Sequence, residues 1–173
     1  MGDVLQLGIR VQDTPLPPIA MHTTYVLAGP LSIGVEYRVL TDQLIDDAKG
    51  VESDRLKGFA SQGSTLHVCD AADGTEYLRF DCFDGDPHYH YITPGEAQLI
   101  VVYDRASCGD MWTWALGCLR DRLPEMLRQA GATSLAERVE PDAVLAAIPE
   151  IERLAATGHA AGPVSLGADS AES

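Results

Sequence analysis

Basic residues are scarce in this sequence. Its 173 residues carry 12 Lys and Arg against 26 Asp and Glu, a formal net charge of −14, and only Lys49 and Lys57 are lysines. Such a surface repels phosphate backbones and anionic headgroups, because binding either requires cationic side chains to displace counterions. Nucleic acid and membrane surfaces are therefore excluded as partners, and the acidity reads first as solubility. The excess of Asp over Glu fits a GC-rich bacterial or salt-adapted source, which concerns origin rather than function. Long apolar runs are missing too, so no segment is expected to span a membrane. Residues Met1 to Gln6 lack the basic and apolar regions of a secretory signal. The four cysteines (Cys69, Cys82, Cys108, Cys118) show no CxxC pairing, which predicts reduced, half-buried thiols and a cytoplasmic location. Gly34, Gly58 and Gly63 make no phosphate-cradling signature.

What is present is strand periodicity followed by helix periodicity. Leu5, Leu7, Ile9 and Val11 alternate with Gln6, Gly8, Arg10 and Gln12, the pattern of a half-buried strand. A Pro-rich connection (Pro15, Pro17, Pro18) can support neither a ladder nor a helix. Strands are predicted over 21–26, 31–41, 64–70, 75–83, 88–93 and 97–104, with a short helix over 42–48. The turns Asp70-Ala71-Ala72-Asp73-Gly74, Asp84-Gly85-Asp86-Pro87 and Thr93-Pro94-Gly95-Glu96 make sequential strands antiparallel neighbours, hence a meander. From Ser107 onward Trp112, Leu116, Leu119, Leu123, Met126 and Leu127 recur at helical spacing. Pro124 should kink or divide that helix and Gly131 end it. Ser134 and Glu137 fit a capping box. Glu140-Pro141-Asp142 opens a helix, and Pro149 should start another that ends near Thr157.

The expected fold is α+β: an antiparallel β-meander of six to seven strands, with C-terminal helices packed on one face. One domain over residues 1–157 is expected, strand-rich over 1–105 and helical over 106–157, with a disordered tail over 158–173. Both faces of the meander carry apolar groups: Leu66, Val68, Ile92, Leu99 and Val101 on one, Leu78, Phe80, Ile100 and Val102 on the other. Helices cover only one side, so N-terminal strands or a second subunit should close the other, giving a two-layered β arrangement or a homodimer. Trp112 and Trp114 point about 200° apart on a helix and cannot form one aromatic wall; one should be core, the other a cover for the sheet edge or a partner.

The densest chemistry is the run from Arg79 to His90, two aromatic-rich segments around the Asp84–Pro87 turn. Alternation puts Arg79, Asp81, His88 and His90 on one face and Leu78, Phe80, Cys82, Tyr89 and Tyr91 on the other. With Phe83 opposite His88, Asp81 stands opposite His90 and Arg79 opposite Ile92. Three readings compete. His88, His90 and a carboxylate from Asp81, Asp84 or Asp86 could hold Zn, Mn, Fe or Ni with an open position for water; Asp86 is the assigned third ligand. Alternatively, Asp81 orients His90 for acid–base work while Arg79 holds an anion, although no Ser or Cys nucleophile has motif context. In the third reading these are cross-strand polar contacts. His22, His67 and His159 stand isolated and are expected to be inert.

His88, His90 and Glu96 superficially resemble the first motif of cupin metal sites. The Glu lies too far along, the preceding Gly too close, and the required later His would fall in helix, so the resemblance covers about a dozen residues and is set aside. The sequence is read as a small acidic, non-catalytic module binding a ligand or partner through Arg79, Asp81 and His90. The alternative is a divalent-metal-binding protein or metal-dependent hydrolase using His88 and His90 plus an Asp.

Overall fold

The seven strands form one antiparallel sheet in the order β1-β7-β6-β5-β4-β3-β2, and they are followed by a run of helices. The computed structural model describes residues 7–49, 58 and 60–161. The strands are β1 (Ile9–Val11), β2 (Thr23–Ala28), β3 (Leu31–Thr41), β4 (Ala60–Asp70), β5 (Glu76–Phe83), β6 (His88–Thr93) and β7 (Ala97–Val102). The helices are α1 (Asp42–Lys49), α2 (Arg105–Cys108), α3 (Met111–Asp121), α4 (Leu123–Gln129), α5 (Thr133–Ala136) and α6 (Pro141–Ala161). The fold is α+β with a β-meander, as the periodicity implied. None of the described helices is long and apolar enough to cross a membrane.

One face of the sheet is apolar because its cross-strand partners are. Ile33 pairs with Val68 and Val35 with Leu66, and these pair in turn with Leu78 and Phe80. Leu119, Leu123, Leu127 and Ile151 from the helices complete this core. α6 lies against β2, β3 and β4, while α3 and α4 lie against β5. Trp114 sits 5.1 Å from Tyr89 and 5.0 Å from Tyr103, ring centre to ring centre; Trp112 packs at the margin. Gly158 lets α6 approach closely, since a Cβ there would come 3.0 Å from that of Tyr37. Asp104 and Asp110 cap α2 and α3 by accepting from main-chain N–H groups.

Several expectations are corrected. Leu66 and Val68 share the helix-covered face with Leu78 and Phe80, because β4 and β5 pair them directly. Among the described residues no second β layer closes the sheet, and the opposite face is largely polar. β1 spans only three residues at the sheet edge, and Leu5 lies outside the described residues. β2 starts at Thr23, after a 3₁₀ turn over Ala20–His22. The long helix divides at Arg122, leaving Pro124 in the first turn of α4, where its missing N–H breaks no bond. The Ser134–Glu137 capping box does not form: Ala132 precedes α5, so Ser134 already lies inside the helix. α6 runs unbroken through Pro149 to Ala161, past the expected end at residue 157. Pro149 and Leu145 are both exposed, so water can take the carbonyl that the proline cannot satisfy. Residues 162–173 lie outside the described residues.

Candidate functional site

The site lies on the sheet face away from the long helices, where β3 to β7 line up polar side chains. Strand pairing sets rows across the sheet: Glu36 opposite Thr65, Thr65 opposite Asp81, Asp81 opposite His88. The next row holds Gly34, His67, Arg79 and His90. Gly34 is glycine for space, since a Cβ there would come 2.8 Å from the Tyr25 ring and 3.2 Å from the His67 Cβ. Glu36, Arg38, Thr65, His67, Arg79, Asp81, His90 and Gln98 are all buried.

Register differs from the expectation by two residues. Asp81 stands opposite His88 and Arg79 opposite His90, rather than Asp81 opposite His90 and Arg79 opposite Ile92. A slip of two preserves the side-chain face, where a slip of one would have inverted it. The predicted clustering of Arg79, Asp81, His88 and His90 therefore holds although the pairing does not. The chain still reverses through residues 84–87, between β5 and β6.

Two networks share this face. The first is a relay of five ionisable groups. Arg38 Nε and Nη2 donate to the two Glu36 carboxylate oxygens at 3.0 Å each. Arg79 Nε and Nη2 grip Glu76 in the same way at 2.9 and 2.7 Å. His67 joins the halves, its Nε2 3.0 Å from Glu36 Oε2 and its Nδ1 2.7 Å from Glu76 Oε1. The ring thus bridges the two carboxylates, using both of its nitrogens. Burial opposes ionisation of Glu76, yet hydrogen bonds from His67 and Arg79 outweigh it and hold that carboxyl at about 2. Burial likewise works against the Glu36 carboxylate, and His67 and Arg38 hold it below its ordinary value.

The guanidinium groups also tie down the Pro-rich segment. Arg79 Nη1 donates to the Leu16 carbonyl at 2.7 Å, and Arg38 Nη2 to that of Pro17 at 3.0 Å. The segment thus crosses the polar face as a strap. Arg79 thus commits three of its five N–H donors to Glu76 and Leu16, and it also lines the cleft beside the hairpin.

The second network is built on the hairpin. Asp81 Oδ2 lies 2.9 Å from His90 Nε2 and 3.3 Å from His88 Nε2, and Thr65 Oγ1 donates to Asp81 Oδ1 at 2.7 Å. Burial pushes the Asp81 carboxyl up, but His88 and His90 outweigh it and hold it well below the usual carboxylate range. For His88, burial disfavours the cation, and Asp81 more than compensates, so its pKa is raised. Asp86 stands on the far side of His88, its half-exposed carboxylate 3.7 Å from Nδ1; Asp84 is exposed. Asp81, His88 and His90 are the three residues whose ligand atoms converge, all within 4.8 Å of one another.

Between strap and hairpin lies a cleft of about 220 Å³. Asp81, His88, His90 and Gln98 form a polar floor; Leu16, Leu40, Ile45 and Ile100 supply apolar walls. Among the described residues, no Ser or Cys lines it.

Sequence reasoning missed Glu36, Arg38, His67, Glu76 and Gln98. His67 was expected to be isolated; it is fully buried at the centre of the relay. Glu36 and Arg38 alternate correctly on β3, and their inward face was the available signal. Glu76 had none, because a β-bulge shifts the register between Val68 and Cys69 and carries Glu76 onto the His67 face.

A family model described as a domain of unknown function (DUF7700) matches residues 25–155. That span contains both networks but not the strap residues Leu16 and Pro17. No curated protein matches the chain, and no solved structure does.

Proposed function

The chain belongs to the DUF7700 family, and from its own geometry we propose that it is a non-catalytic binding module, holding a small polar ligand in the cleft beneath the strap. The observation that carries this reading is the floor of Asp81, His90 and Gln98, buried yet lining an accessible cleft. Polar groups taken out of water are costly unless matched, and a few convergent polar groups among apolar walls are the usual composition of a ligand site. The cleft is smaller than the ~300–1,000 Å³ of drug-sized pockets, which favours a compact metabolite. The thiols support a non-catalytic role, since burial pushes Cys69 up to about 12 and Cys118 up to about 11. All four cysteines are unpaired, which supports a reducing, cytoplasmic location.

Ligand-observed NMR with a library of compact polar metabolites tests the proposal, using the wild type and the cleft-filling variant Ile100→Trp. Compounds that bind the wild type and not the filled variant are expected. Identical binding profiles for the two proteins would count against the cleft. A homodimer is also proposed, formed along the β2 edge where Tyr25 and Leu27 are exposed. Sedimentation that stays monomeric up to high-micromolar concentration would remove it.

A further inference from the structure

In the hairpin network, unlike the relay, two imidazoles converge on a single carboxylate oxygen. Each outer imidazole nitrogen faces a carbonyl: His88 Nδ1 lies 2.7 Å from the Asp86 main-chain oxygen, and His90 Nδ1 2.7 Å from Gln98 Oε1. Carbonyl oxygens only accept, so both Nδ1 atoms carry hydrogen. In a neutral imidazole the lone pair then sits on Nε2. Both Nε2 atoms converge on one carboxylate oxygen, Asp81 Oδ2. Three electron-rich atoms at such distances repel one another unless positive charge lies among them. Two protons can supply that charge, and so can one divalent ion.

We propose that Asp81 Oδ2, His88 Nε2 and His90 Nε2 bind a single divalent transition-metal ion, with the remaining coordination positions facing the cleft. The inference rests on reading this cleft as the binding site, and it names the class of ligand held on the floor.

Four observations support it together. The donor set, two imidazoles and a carboxylate, suits Zn²⁺, Mn²⁺, Fe²⁺, Co²⁺ or Ni²⁺. The two separations from Asp81 Oδ2, 2.9 and 3.3 Å, fit, because ligand atoms about 2.0–2.2 Å from a common ion lie roughly 2.8–3.6 Å from one another when adjacent in octahedral or tetrahedral shells. The supporting groups are those a metal site needs: both Nδ1–H groups are fixed by carbonyls, and Thr65 holds the other Asp81 oxygen. Lastly, the ligands are sheltered yet reachable, with side chains 5%, 11% and 6% exposed for Asp81, His88 and His90. His67 is the internal contrast: its two nitrogens face two different carboxylates, so no second imidazole shares an oxygen with it.

The test uses the full chain purified without a metal-affinity tag, stripped with chelator and titrated at near-neutral pH with Zn²⁺, Mn²⁺, Co²⁺ and Ni²⁺ by calorimetry. One equivalent should bind to the wild type, and the His88→Ala/His90→Ala variant should lose at least about 100-fold in affinity. Co²⁺ should give d–d absorption bands in the wild type that the variant lacks. If the variant fails to fold, paramagnetic broadening by Mn²⁺ in the wild type decides the matter, and it should centre on the amides of residues 81, 88 and 90. Ile100→Trp keeps all three ligands and should still bind the ion. Metal bound by that variant without any organic ligand for the wild type would fail the small-molecule reading alone. Absence of binding tighter than millimolar in the folded wild type, binding that survives in the folded double variant, or broadening centred elsewhere overturns the metal site.

Discussion

Replacing Glu76 by Gln keeps the side chain's shape and removes its charge, which isolates the electrostatics of the relay. In the folded chain the Glu76 carboxyl lies at about 2, against an ordinary 4.5. At 1.36 kcal/mol per pH unit that difference is worth about 3 kcal/mol of stability. A second route gives a similar figure, since removing one partner of a buried ion pair costs about 3–5 kcal/mol. The sign follows from linkage. The folded value lies below the unfolded one, so the unfolded chain binds more protons in acid. The Glu76 contribution is present in full above about pH 5 and is lost as pH falls toward 2. Urea unfolding of wild type and Glu76→Gln at pH 7 and pH 3 should therefore show a penalty of about 3 kcal/mol that falls by roughly half at the lower pH. Repulsion from the other charges is common to both proteins and largely cancels in the difference. A penalty below about 1 kcal/mol at pH 7, or one equal at both pH values, would refute the assignment of Glu76 as the ionised partner of Arg79 and His67.

Thr65→Val removes the donor on Asp81 Oδ1 while keeping the shape, and it should weaken metal binding by about 10–100-fold in the same calorimetric titration. Phe80→Ala, at a fully buried core position, should cost about 3–5 kcal/mol by urea denaturation without changing the metal stoichiometry. His67→Gln should lower the melting temperature yet leave one equivalent of metal bound, whereas His88→Gln should do the reverse, and thermal melts paired with Co²⁺ spectra read both.

Strand β3 was legible to the residue because Leu31, Ile33 and Val35 face the core while Glu36 and Arg38 face the other way, and a one-sided apolar pattern shows directly in sequence. The hairpin face was legible for a related reason. Alternation fixes which residues share a side, so Arg79, Asp81, His88 and His90 came together even though the ladder slid by two positions. Register itself was hidden, because loop residues do not fix how far apart the last paired residues stand. The relay was hidden more deeply. Glu36 and His67 are 31 residues apart, and only the β3–β4 ladder makes them neighbours. Glu76 has the parity of Leu78 and Phe80, and the bulge reverses it. Pro149 misled because a proline ends a helix only where its neighbours cannot solvate the freed carbonyl, and here they can.

The two networks show why a buried polar face is not by itself a site. In the relay the side chains meet donor to acceptor: two guanidinium–carboxylate pairs, each held by two bonds, with the His67 ring bridging both carboxylates. The strap closes it by lending two carbonyls. Such a set orders the sheet face and fixes the N-terminal segment, which is structural work. The hairpin set shares the environment but not the arrangement, because two imidazoles converge on one carboxylate oxygen with their outer contacts already fixed by carbonyls. The hairpin set forms the floor of the cleft, while Arg38 and Arg79 of the relay line it and tie down the strap. On this face the residues to test for function are Asp81, His88 and His90, whose convergence either two protons or one divalent ion would complete.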